Sequence, residues 1–114
     1  MNVAEIRRRS EVEGKLATLF FLKTVEQSEQ HETHLHDLLS QIQELRQSLR
    51  SRGVALRFGY RNQIDEFVRC LFMRNLLSLA YDPDADDVVC RLTDMGRDEL
   101  RTSPPEQLLQ NMHG

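Results

Sequence analysis

Two short stretches carry the residue types that do chemistry. His31, His34 and His36 lie within "HETHLHD", and Asp82, Asp84, Asp86 and Asp87 within "DPDADD". The zinc-protease pattern HExxH places two histidines one helical turn apart on one face. Here the second histidine comes one residue early. On a helix, His31 and His34 would lie on neighbouring faces and His36 away from both. Such a pair is half a metal site at best, needing a symmetry mate to complete it. The expectation is a polar, partly exposed stretch without metal, whose partial protonation near neutral pH tunes a nearby interface. Asp82, Asp84 and Asp86 match positions 1, 3 and 5 of a calcium-binding hand loop. That loop needs glycine at position 6 and a bidentate glutamate at position 12. Asp87 and Thr93 stand there instead. The four aspartates are therefore expected at a solvated hairpin tip, as a site for a partner rather than an ion. No Ser/His/Asp or Cys/His arrangement and no glycine-rich phosphate loop is present, so neither an enzyme nor a cofactor is expected.

The arginines say more. Net charge is −3 over 114 residues, yet Arg46, Arg50, Arg52, Arg57 and Arg61 fall between residues 46 and 64 with no acid among them. Residues 16–45 carry one lysine against five acids, and residues 65–114 five arginines against ten acids. Local patches of this kind, rather than net charge, set where an anion docks.

These groups must be positioned by a small framework. The length suits one domain with one modest core. "LATLFFL" is the densest apolar run and falls far short of the roughly 18 residues of a membrane span. "MNVAEIRRRS" has no signal-type apolar core behind it. Cys70 and Cys90 lack metal spacing and read as reduced, packed thiols, which fits a cytoplasmic location. Val12, Leu16, Leu19, Phe20 and Lys23 recur at helical spacing. Leu35, Leu38, Leu39, Ile42, Leu45 and Leu49 follow i, i+3, i+4, i+7 and predict a helix over 32–52, with Gly53 as its stop. Ile64, Phe67, Val68, Leu71, Phe72 and Leu76 predict a helix over 61–76. "LLSLAY" and "VVCRL" alternate as two strands of a hairpin. Thr93 is placed to cap the next helix, and "SPPE" to open a last short one.

Residues 61–100, with "FMRNLL", the "DPD" tip and "RLTDMGRDEL", resemble the second half of a winged helix-turn-helix domain of the MarR and PadR regulators. Their LTxxGRxxL closes the wing and begins the next helix. The resemblance implies a mainly α fold with a two-stranded wing and long N-terminal helices. Residues 1–52 would supply dimerising helices, 53–102 the winged unit and 103–114 a short tail helix. It also implies a homodimer that binds double-stranded DNA in transcriptional control, through a helix whose N-terminus enters the major groove. Arg61, Asn62 and Gln63 would meet base edges, with Arg57 and Arg69 near phosphates. The dimer surface is expected on Leu16, Leu19, Phe20, Leu35, Leu38, Ile42, Leu45 and Leu49. The tip departs from the family pattern. Family wings carry arginine there, and here Asp82, Asp84, Asp86 and Asp87 would be repelled by phosphate. The alternative is a non-enzymatic interaction module, an adaptor or a subunit of a chromosome-organising or partition complex, meeting a protein through its acidic wing.

Overall fold

Leu16 to Leu22 contains only Thr18 as a polar residue, and the fold is built around that run. The computed structural model describes residues 2–55 and 63–113. In chain order the elements are α1 (Val3–Glu26), a 3-10 turn (Glu29–His31), β1 (Glu32–His34), α2 (Leu35–Ser51), α3 (Gln63–Met73), β2 (Leu77–Asp82), β3 (Asp87–Leu92), α4 (Asp94–Thr102) and α5 (Pro105–His113). The protein is mainly helical, with one small three-stranded antiparallel sheet in the order β1-β3-β2. Among the described residues no helix is long and apolar enough to cross a membrane.

Asn2 starts α1 by accepting the Glu5 amide at 2.8 Å. Further along, Leu16, Ala17, Leu19, Phe20, Phe21, Leu22 and Val25 are all buried. Thr18 is buried with them, and its hydroxyl donates to the Gly14 carbonyl at 3.2 Å. A helix that is apolar all round is a central helix. α1 is in contact with α2, α4, α5 and β3. Lys23 of α1 forms an ion pair with Glu106 of α5. One apolar cluster runs from Leu16 in α1 to Leu109 in α5, so the three segments read from the sequence share a single core.

This corrects the expected dimer surface. Leu16, Leu19, Phe20, Leu38, Ile42 and Leu49 are buried within the chain itself, and Leu35 and Leu45 pack against the same cluster. The stripes of α1 and α2 cover each other and the sheet. They are buried without a second copy, because the stretch of α1 from Leu16 to Val25 is covered by its own chain.

Two helices end in the same way. After α2, Gly53 has φ of +81°, its amide donates to the Arg50 carbonyl at 3.1 Å, and the Val54 amide donates to the Leu49 carbonyl at 2.9 Å. These are the paired bonds of a left-handed helix stop, and the residues they join at its ends, Leu49 and Val54, are both buried. After α3, Asn75 takes the left-handed position with φ of +60°, and Leu76 donates to Leu71 at 2.9 Å. The predicted helix over 61–76 therefore stops at Met73, with asparagine where glycine is the commoner signal. Nothing lies within 4 Å of a Cβ built on Gly53. Gly53→Ala should thus cost only the left-handed backbone penalty, about 1 kcal/mol, measurable by urea denaturation.

β1 departs from the sequence expectation. The predicted helix over 32–52 begins at Leu35, because Gln30 and His31 both take φ of +58° and turn the chain into an extended edge strand. Glu32, Thr33 and His34 pair with Arg91, Cys90 and Val89 of β3. The hairpin follows its alternation: Leu77, Leu79 and Tyr81 stand opposite Leu92, Cys90 and Val88. Leu77, Cys90 and Leu92 are buried, while Tyr81 near the tip is exposed. The two cysteines differ. Burial pushes the Cys90 thiol up to about 11, which keeps it protonated. Cys70 is exposed on α3, contrary to the packed position expected for it.

Candidate nucleic-acid interface

α3 is held by the side chains it turns inward. Val68 and Leu71 are buried, and the Phe67 ring packs on Phe21 of α1 with centroids 5.1 Å apart and planes tilted by 42°. Residues 66, 69, 70 and 73 then share the outer face by helical periodicity. Glu66, Arg69, Cys70 and Met73 are all exposed there. Of the residues expected to meet DNA, Arg69 is thus free to reach an anion. Gln63 opens α3. Arg57, Arg61 and Asn62 lie outside the described residues. From the arginine-rich stretch, Arg50 and Arg52 are exposed at the C-terminal end of α2, where a cation suits the negative end of the helix. Arg74, just after α3, is exposed as well. The same region carries apolar surface: Phe72, Met73 and Met95 are 47%, 77% and 52% exposed.

The phrase "LTDMGRDEL" joins the hairpin to the helices. The Thr93 hydroxyl accepts the Gly96 amide at 3.0 Å, capping α4, and donates to the Asn75 carbonyl at 2.6 Å. The Thr93 amide donates to the Leu76 carbonyl at 3.3 Å. Gly96 sits directly over that turn, where a Cβ would lie 2.3 Å from the Leu76 carbonyl oxygen and 2.8 Å from Leu92 Cδ1. Glycine is needed here for close approach. Leu92 and Leu100 are buried on either side of it in sequence. α4 is thereby seated on the turn that ends α3.

Three of the four hairpin aspartates, Asp82, Asp86 and Asp87, are engaged by other groups of the chain. Asp82 Oδ2 lies 3.0 Å from His34 Nε2, and Asp82 Oδ1 accepts the Asp84 amide at 3.1 Å. Asp86 accepts the Tyr81 hydroxyl at 2.5 Å, which raises the Tyr81 phenol above its ordinary value. Asp87 Oδ2 accepts the His36 amide at 3.2 Å, and its Oδ1 accepts the Val88 amide at 2.7 Å. His34 is the N-cap residue of α2 and makes no side-chain cap bond of its own. Asp87, from the hairpin, satisfies one of the orphan amides instead.

The histidine stretch is correspondingly divided. His31 Nδ1 donates to the Glu26 carbonyl at 2.7 Å, at the end of α1, while His34 turns to the hairpin. They are not two ligands on one helix, because the chain from Glu32 to His34 is extended as β1. Arg91 donates to Glu32 from Nε at 3.0 Å and so ties β1 to β3. Sequence patterns assign no role to Tyr81 or the His36 amide. The His34–Asp82 and His36–Asp87 partners stand 48 and 51 positions apart in the chain, beyond the reach of any local pattern.

The fold and site together define a mainly helical domain whose hairpin is clasped by an edge strand and whose third helix exposes Glu66, Arg69, Cys70 and Met73 on its outer face. The chain matches no protein-family model, and comparison with curated proteins and with solved structures gives no match.

Proposed function

We propose that the protein is a winged-helix DNA-binding protein acting in transcriptional control, as a dimer, with α3 as the helix that enters the major groove. The observation that carries the reading is the seat of α4. Thr93 caps it, and Gly96 brings it against Leu76 at the end of α3, as the resemblance to LTxxGRxxL implies. α2, α3 and the hairpin follow one another in the order of a helix-turn-helix and its wing. Exposed Arg50, Arg52, Arg69 and Arg74 supply cations for phosphate. The acidic wing weighs less against DNA than its composition suggests. Asp82 and Asp87 face the His34 imidazole and the positive end of α2, so part of their charge is met inside the molecule.

Arg61→Ala combined with Arg69→Ala is expected to weaken binding to genomic DNA fragments by about tenfold or more. The double variant should also flatten the salt dependence, by about one unit of slope for each phosphate left without its arginine. The reading fails if the wild-type protein binds no DNA at low salt.

A second reading, a protein-interaction module without DNA contact, is favoured by one observation. Phe72, Met73 and Met95 expose apolar surface around the α3–β2 turn, where a groove-reading helix has no use for it. Under that reading Met73→Glu abolishes partner capture, and the arginine changes leave it intact.

A further inference from the structure

The hairpin tip and the start of α2 meet at a seam of unlike charge. His34 Nε2 stands 3.0 Å from Asp82 Oδ2, and the Asp87 carboxylate takes the His36 amide in place of a local cap. These contacts join residues 48 and 51 positions apart. β1 is three residues long, follows two residues at positive φ, and lies at the sheet edge. Besides its backbone ladder, it is secured by Glu32–Arg91 at one end and His34–Asp82 at the other.

We infer that this seam is a proton-operated clasp: protonated His34 holds β1 and the first turn of α2 on the hairpin, and loss of that proton loosens the hairpin tip from them. The clasp goes beyond DNA binding and does not depend on it.

The groups around His34 favour its cationic form. Asp82 comes from β2, Asp87 from the start of β3 and Asp37 from the first turn of α2. Glu29 and Glu32 line the same hollow, with Glu32 engaged by Arg91. His36, exposed, offers its backbone amide to Asp87. The hydrogen bond to Asp82 raises the His34 imidazolium above its ordinary value, and the same bond holds Asp82 below the ordinary carboxylate range.

The pH window follows from those directions. A raised histidine contributes stability that is fully present below its unfolded value, near 6.5, and is lost as pH climbs through the higher folded value. A lowered aspartate contributes above its ordinary value and loses that contribution as pH falls through the lower folded one. The clasp is therefore tightest in mildly acid solution and relaxes as pH climbs through the raised His34 value. Neutral imidazole still donates one hydrogen bond, so the loosening is partial and local.

Amide hydrogen exchange of the wild-type protein, followed by NMR between about pH 5 and pH 8, reads the clasp across the range where histidine titrates. Corrected for intrinsic rates, protection of Thr33, His36 and Cys90 should fall several-fold as His34 titrates, while buried amides of α1 keep theirs. The fold-change in protection should equal the ratio of the His34 acid constants in the open and clasped states. Asp82→Asn should lower the His34 midpoint, and His34→Gln should leave protection independent of pH. Constant protection through the His34 titration overturns the inference. So does an undiminished pH dependence in His34→Gln. If either variant does not fold, the wild-type measurement alone decides.

Discussion

Phe21→Ala is expected to lower the free energy of unfolding by about 3–5 kcal/mol, the range for emptying a buried aromatic site. Phe21 has no exposed surface and lies in the C-terminal third of the central helix. Its ring is the partner of Phe67, the aromatic contact that draws α3 against α1. Two effects thus coincide: a cavity replaces a large side chain, and the aromatic pair is broken. The cavity resists collapse because Ala17 and Val25, one turn away on the same face, are fixed by the same helix. Against the 5–15 kcal/mol stability typical of a whole domain, about 3–5 kcal/mol is a large fraction. Urea denaturation should show a lower midpoint with unchanged slope, and α3 amides should lose protection first. A destabilisation below about 1 kcal/mol would mean that α1 and α3 do not meet in the core.

Gly96→Ala is the second large effect. Alanine is the better helix former by about 1 kcal/mol, so an open helical position would gain stability. At position 96 the added methyl meets a backbone carbonyl at 2.3 Å. That carbonyl is in the turn formed by Asn75 and Leu76 and also accepts the Thr93 amide, so it cannot yield without opening the cap of α4. Overpacking of this kind costs about 3 kcal/mol or more, for a net destabilisation of about 2 kcal/mol. Gly53→Ala provides the contrast: there the cost is conformational, because open space surrounds the Cβ. Equal or greater stability of Gly96→Ala by thermal or urea unfolding would sink the idea that α4 docks on the end of α3.

The periodicity of α2, its stop at Gly53, the alternation of the hairpin and the cap at Thr93 were all legible in the sequence. Each depends on residues within one or two turns of one another, and backbone sterics and side-chain spacing fix such features locally. The left-handed stop of α3 was harder to read because asparagine stands where glycine usually signals it. β1 left almost no trace. Three residues are too few to show alternation, and no glycine marks the positive φ of Gln30 and His31. The candidate site was legible only in part. Arg69 is exposed, whereas three of the four aspartates read as a solvated tip, Asp86, Asp82 and Asp87, are engaged by Tyr81, His34 and the start of α2.

What the sequence determined by itself is which segments become helices and strands and which of their faces are apolar. Only the tertiary structure decided what covers each face. The run Leu16 to Leu22 could have met a partner or its own chain, and α2, α4, α5 and the sheet enclose it. The aspartates of the hairpin could have stood in solvent, and β1 brings His34 and the α2 amides to Asp82 and Asp87. Periodicity reports a need for burial or for charge neutralisation. The group that meets the need is set by chain topology, through contacts about fifty residues apart that no local pattern encodes.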